Sequence, residues 1–233
     1  MRYWRATAAL CAALITAPFA GLAFASPAKA AADEPKPIHV IIGLDLSRSN
    51  PLVTNRDYAS KVAQRVAPLI KNLAPRSVVN LRTFGVYDPS AQNLRIDFVV
   101  SSKHPADEVL TVVTGVIAGV PQLVSEGKLT AQNYTNIVPF LENMAEVTDC
   151  KVLDTTVILA SDGIEDSEYV KLIRDGSQLP APDPGIYKGC SSLQILGLGV
   201  GANSPTLTKH LREQWQKWSD AAGFDRFEGL NDW

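Results

Sequence analysis

The sequence predicts an α/β fold: a doubly wound, mostly parallel open sheet with one antiparallel strand and helices on both faces. Three observations carry that prediction. Short runs rich in Val and Ile recur along the chain, as strands buried on both faces require. Stretches with apolar residues at helical spacing lie between them, so strands and helices alternate. One pair of strand-like runs is joined by the turn Asp88-Pro89-Ser90, which gives a hairpin and hence the antiparallel neighbour.

Residues 1–30 read as an export signal ahead of the fold. Arg2 and Arg5 precede an uncharged apolar run, and the small-residue endings Ala23-Phe24-Ala25 and Ala28-Lys29-Ala30 follow. The run is about long enough to cross a bilayer, but Pro18 and the Ala content favour cleavage over a retained anchor. The expectation is a periplasmic or secreted protein of bacterial type, with no second apolar span. Residues 31–37 are a short polar lead-in, and residues 38–233 form the domain.

Residues 38–46 form a nearly continuous apolar run and read as a buried strand. Over residues 55–73, Val62, Val66, Leu69, Ile70 and Leu73 mark a helix face that Pro75 ends. Residues 78–87 and 94–100 are the two arms of the hairpin. A helix over residues 105–126 is expected, with Gly119 or Pro121 as a possible break, and a second over 136–147. Residues 155–160 are another buried strand, 166–174 a short helix, and 178–189 a Pro- and Gly-rich loop. Residues 192–200 read as a strand. Leu207, Leu211, Trp215 and Trp218 mark the core face of a long helix, and residues 224–227 a final edge strand.

Composition excludes several function classes. Of 233 residues, 46% are hydrophobic and 20% charged, as in an ordinary folded domain. Loss of residues 1–30 removes three of the 22 basic residues and none of the 24 acidic ones, so the net charge moves from −2 to −5. A mildly acidic domain has no field for nucleic acid or anionic membranes. Gly197, Gly199 and Gly201 lack the lysine and strand-to-helix context of a phosphate loop.

The chemistry lies in Asp45-Leu46-Ser47-Arg48-Ser49, at the end of the first strand. Alternate residues of an extended segment share a side, so Asp45, Ser47 and Ser49 converge. Alone, such a segment reads equally well as a helix cap or turn. Asp162, in Ala160-Ser161-Asp162-Gly163, ends another buried strand, and such strand ends are where open α/β sheets bind ligands. Carboxylate and hydroxyl oxygens are hard donors suited to Mg²⁺, Mn²⁺ or Ca²⁺.

These residues resemble the von Willebrand factor type A domains over residues 38–230. That family's metal-ion-dependent adhesion site combines D-x-S-x-S after the first strand, a Thr from a later loop and an Asp after the fourth strand. Asp45, Ser47, Ser49, Thr135 and Asp162 stand at the matching positions, with Thr130 a nearby alternative to Thr135. The run from Ile195 to Gly201 looks like the fifth strand. The resemblance implies a bound divalent cation, Mg²⁺ foremost, with a coordination position left for an acidic side chain of a protein partner. It implies binding rather than catalysis. A structural envelope component with a stabilising metal is the alternative. A metal-dependent hydrolase is a weaker one, because no His or Lys is evidently placed as a base beside Asp45 or Asp162.

Beyond the signal, Cys150 and Cys190 remain, each a few residues before a strand. In this family those strands are parallel neighbours, which implies a disulfide at the end opposite the metal; export gives the oxidising setting. The three histidines show no zinc spacing. Glu165, Asp166 and Glu168 read as acids in the first turn of the 166–174 helix, with a second cation site as the alternative. Arg48 fills a spacer position often held by a small residue. The chain stops at Trp233, where the family continues into a helix, so its affinity switching is not carried over.

Overall fold

The computed structural model describes residues 35–86, 94–174, 176–202 and 204–233. The signal, the lead-in up to residue 34 and the Asp88-Pro89-Ser90 turn lie outside the described residues.

The first strand, β1 (Ile38–Asp45), is rich in Val and Ile, and seven of its eight residues are buried. β2 (Val78–Phe84) pairs parallel on one side of it and β4 (Asp154–Ala160) on the other. β3 (Arg95–Val99) returns antiparallel on β2, while β5 (Ser192–Leu196) and β6 (Arg226–Leu230) continue beyond β4 in parallel. The order is β3-β2-β1-β4-β5-β6, the mostly parallel sheet with one antiparallel strand that the pattern predicts. Chain progression reverses between β1 and β4. A crevice therefore opens over their carboxyl ends.

Alternation along β1 divides the core. Val40, Ile42 and Leu44 face α1 (Arg56–Lys71) and α2 (Ala106–Ser125), while Ile41 faces α3 (Ile137–Glu146) and α4 (Pro205–Ala222). Asn55 caps α1 by accepting from the Asp57 and Tyr58 amides at 3.0 Å, and Val62, Val66 and Ile70 form its buried stripe. Each such side chain contributes about 1.5–3 kcal/mol by leaving water. Trp215 and Trp218 are core residues of α4, meeting edge to face at 5.9 Å. Gly43 is fixed by packing: a Cβ there would sit 2.7 Å from Leu159 Cδ2 and 2.8 Å from Phe140 Cε1. α3 thus lies closely over β1.

Several boundaries differ from expectation, each for a local reason. β2 ends at Phe84 because the Gly85 carbonyl turns to accept from Asn136. β5 ends at Leu196, since Gly197 adopts φ 109° and its N–H and that of Leu198 both donate to the Leu230 carbonyl. The last strand starts later than predicted because Phe224 stacks on Tyr187 at 4.4 Å instead of entering the sheet. α2 runs unbroken through Gly119 and Pro121. Its length and mean hydropathy of 1.5 would suffice for a membrane span, but Val109, Val113, Ile117 and Val120 pack it into the core shared with α1.

The expected helix over residues 166–174 does not form. The Asp166 backbone instead bridges Thr135 on one side and Lys171 on the other, which consumes the groups a helix would need. Cys150 and Cys190 form a disulfide with Cα atoms 5.0 Å apart, beside the amino ends of β4 and β5.

Candidate metal centre

Asp45 is the last residue of β1 and fully buried; Asp162 follows β4 by two residues and is 1% exposed. The Asp45 carboxylate accepts from the Ser47 amide at 2.7 Å and, through its other oxygen, from the Ser161 hydroxyl at 2.7 Å. The Ser47 and Ser49 hydroxyls lie 3.3 Å apart, and Ser49 is near enough to Asp162 to favour its charged form. Asp162 also accepts from the Ile164 amide at 2.9 Å. Asp45, Ser47 and Ser49 are thereby joined by direct hydrogen bonds, with Asp162 beside them.

Thr135 reaches this group through the backbone. Three segments are stitched side by side. Gln132 donates to the Leu46 carbonyl at 2.8 Å and accepts from the Arg48 amide at 2.9 Å. Thr135 and Asp166 exchange two bonds of 3.0 and 3.1 Å. Among the described residues, the Thr135 hydroxyl makes no hydrogen bond to the other four. Thr135 is buried, whereas Thr130 is exposed.

Burial, and then the charge of Asp162, holds the Asp45 carboxyl well above the usual carboxylate range; burial does the same to Asp162. Among the described residues no ion pair includes either acid. Nor do three His, Cys, Asp or Glu side chains form a metal cluster there. The donor set is instead two carboxylates with neutral hydroxyls beside them. Two buried, mutually repelling carboxylates without a cation fit a hard divalent ion, which would supply the missing positive charge.

Four contributors went unrecognised in the sequence. Asn50 donates to the carbonyls of Asp45 and Ala160 at 3.0 and 2.9 Å, clamping the ends of β1 and β4 together. An Asn-Pro dipeptide such as Asn50-Pro51 is a general turn signal and carries no hint of the clamp. Ser161 orients Asp45, with only its place beside Asp162 as a hint. Gln132 ties the loop after β1 to the Thr135 segment and also accepts from the Val86 amide.

Glu165 is the fourth. It does serve a helix dipole, but that of α3: one carboxylate oxygen accepts from the Ile137 and Val138 amides at 2.8 and 3.1 Å. Burial pushes this carboxyl up to about 7 despite those bonds. Because the folded value is raised, the folded state binds the extra proton, and stability falls as pH rises from the ordinary value through about 7. Glu165→Gln keeps an acceptor for α3 and should remove that loss, gaining roughly 2–3 kcal/mol over the parent at pH 8 and little at pH 5. Glu165→Ala strands both amides and should lose about 2–3 kcal/mol at pH 5 but little at pH 8, where the parent has itself lost a similar amount. Urea unfolding at the two pH values checks both.

Gly163, between Asp162 and the turn, has φ 75°, and any Cβ would collide with Leu198. Its carbonyl accepts from the Trp215 indole at 2.8 Å, so α4 fixes the loop from behind. The histidines are engaged elsewhere: His39 with Asn80, His104 with Glu108 and His210 with the Ser177 carbonyl.

No family model matches the chain, and no curated protein matches its sequence. Solved structures do. A pilus adhesin, SpaC from Lactobacillus rhamnosus GG, matches at 16% identity and TM-score 0.49 over 86% of this chain, which spans only 29% of the adhesin. The SpRpn10 VWA domain matches at 12% identity and TM-score 0.43, covering 84% of this chain and 88% of that one. An aerotolerance-related membrane protein from Bacteroides fragilis NCTC 9343 matches at 11% identity and TM-score 0.43, covering 84% and 92%. Likeness at this level decides nothing about chemistry.

Proposed function

We propose that this chain is an exported binding module whose crevice holds a divalent cation, Mg²⁺ foremost, that bridges to a carboxylate of a protein partner. One observation carries the reading: two buried carboxylates, Asp45 and Asp162, meet at the carboxyl ends of β1 and β4 with hydroxyls beside them and, among the described residues, no cationic residue paired to either. Asp45, Ser47, Ser49, Thr135 and Asp162 would hold the ion. Neutral hydroxyls among the ligands leave it electrophilic toward a further anionic oxygen. The signal-like residues 1–30 and the Cys150–Cys190 bond, which persists in oxidising compartments, support export.

Titration of Mg²⁺ or Mn²⁺ into the purified, chelator-stripped domain tests the reading. At about 100 times the dissociation constant a ligand adds about 2.7 kcal/mol. For a domain of this size that is a rise of roughly 5–10 °C in melting temperature. A flat response at millimolar Mg²⁺ and Mn²⁺ sinks it.

A further inference from the structure

Three exposed side chains lie on the three stitched segments. Arg48 projects from the loop after β1, between Ser47 and Ser49. Tyr134, 44% exposed, directly precedes Thr135. Tyr169, 72% exposed, sits in the tight turn closed by the Ser167–Val170 and Asp166–Lys171 backbone pairings. Registry places them in one strip, since Ser47 bridges Gln132 and Thr135 bridges Asp166. Neither tyrosine is in ring contact with another aromatic among the described residues.

Exposed aromatics beside a polar site are the residues that carry binding energy when a partner covers them. The charges bordering them are unequal. Asp166 is neutralised by Lys171 at 2.8 Å. Glu168 is exposed next to Tyr169 and would repel an acid there. Arg48 enters no ion pair among the described residues and so attracts one.

We propose that the partner presents its metal-binding carboxylate on an extended segment, with an aromatic side chain on one side that packs on Tyr134 and Tyr169 and a second acid on the other that pairs with Arg48. This rests on the cation reading above and adds the chemistry of the partner. The crevice and its border then read three adjacent positions: aromatic, metal-bound acid, second acid.

Four capped synthetic peptides test it by calorimetry in saturating Mg²⁺: Gly-Asp-Gly, Phe-Asp-Glu, its reverse Glu-Asp-Phe, and Phe-Asn-Glu. One of the two orders of Phe, Asp and Glu should bind at least about tenfold tighter than Gly-Asp-Gly, and the Asn peptide should not bind. The double variant Tyr134→Ala, Tyr169→Ala should lose the aromatic preference, and Arg48→Ala the second-acid preference. All three positions are exposed, so melting in Mg²⁺ should be unchanged. If Mg²⁺ stabilises the domain but the peptides bind equally, or the variants keep both preferences, the partner assignment is overturned and the cation reading stands. If Mg²⁺ has no effect on melting, both fall.

Discussion

Asp45→Asn is expected to lose the Mg²⁺ response entirely, while melting above the parent in chelator at pH 8. The substitution is nearly isosteric. The Asn Oδ1 can accept from the Ser47 amide as the carboxylate does, and its Nδ2 can donate to the Ser161 hydroxyl, which turns to accept. What disappears is a buried charge facing Asp162. Both acids have folded-state values above the ordinary carboxylate range, so the metal-free parent binds more protons folded than unfolded. Its stability is then highest below that window and falls as pH rises toward neutrality. Asp45→Asn removes one of the two titrating groups and the repulsion between them, which flattens the pH profile. Melting curves of both proteins at pH 5 and pH 8, each with Mg²⁺ and with EDTA, give the answer. A parent that gains stability from pH 5 to pH 8 in EDTA, or a variant that keeps the Mg²⁺ shift, contradicts this account.

The second large effect is at the other end of the sheet. Opening the Cys150–Cys190 bond, by reduction or by a double Ser substitution, should lower the unfolding free energy by about 4 kcal/mol. The cysteines are 40 residues apart in sequence, so the bond removes a long loop's freedom from the unfolded chain. The metal site lies at the carboxyl ends of β1 and β4 and the bond beside the amino ends of β4 and β5. The two should act independently, and Mg²⁺ affinity should stay within about twofold on reduction. Urea midpoints, with calorimetric Mg²⁺ affinities measured below the unfolding transition, check both halves. A large loss of affinity on reduction would mean that the bond shapes the site.

Much of this was legible in the residues. β1 and β4 announce themselves as Val- and Ile-rich runs, and Asn55 with the stripe Val62, Val66 and Ile70 announces α1. The strand ends then placed Asp45 and Asp162 together, because a parallel sheet brings carboxyl ends to one edge. What failed to show were particular hydrogen bonds between segments distant in sequence. Residues 166–174 have a helical composition, but the Thr135 backbone, about thirty residues earlier, competes for Asp166 and wins. Glu165 was assigned to the dipole of a helix that does not exist, when it caps α3. Asn50 drew no reading from the sequence, yet its amide reaches the Ala160 carbonyl, 110 residues away, as well as that of Asp45. Local pattern reports propensity, and these residues are set by tertiary partners that no window contains.

The sheet's polarity also dictates how the domain can be handled. Ile38 opens β1 at the pole that carries the disulfide, whereas Leu230 closes β6 at the pole that carries the crevice, with the last residue folded back so that the Trp233 indole reaches the Lys61 carbonyl at 3.4 Å. The length of β1, about 26 Å, separates its first residue from the crevice. Anchoring to a sensor chip, resin or fluorescent fusion through residues ahead of Pro35 therefore leaves the crevice pointing away from the support. The same attachment after Trp233 crowds it.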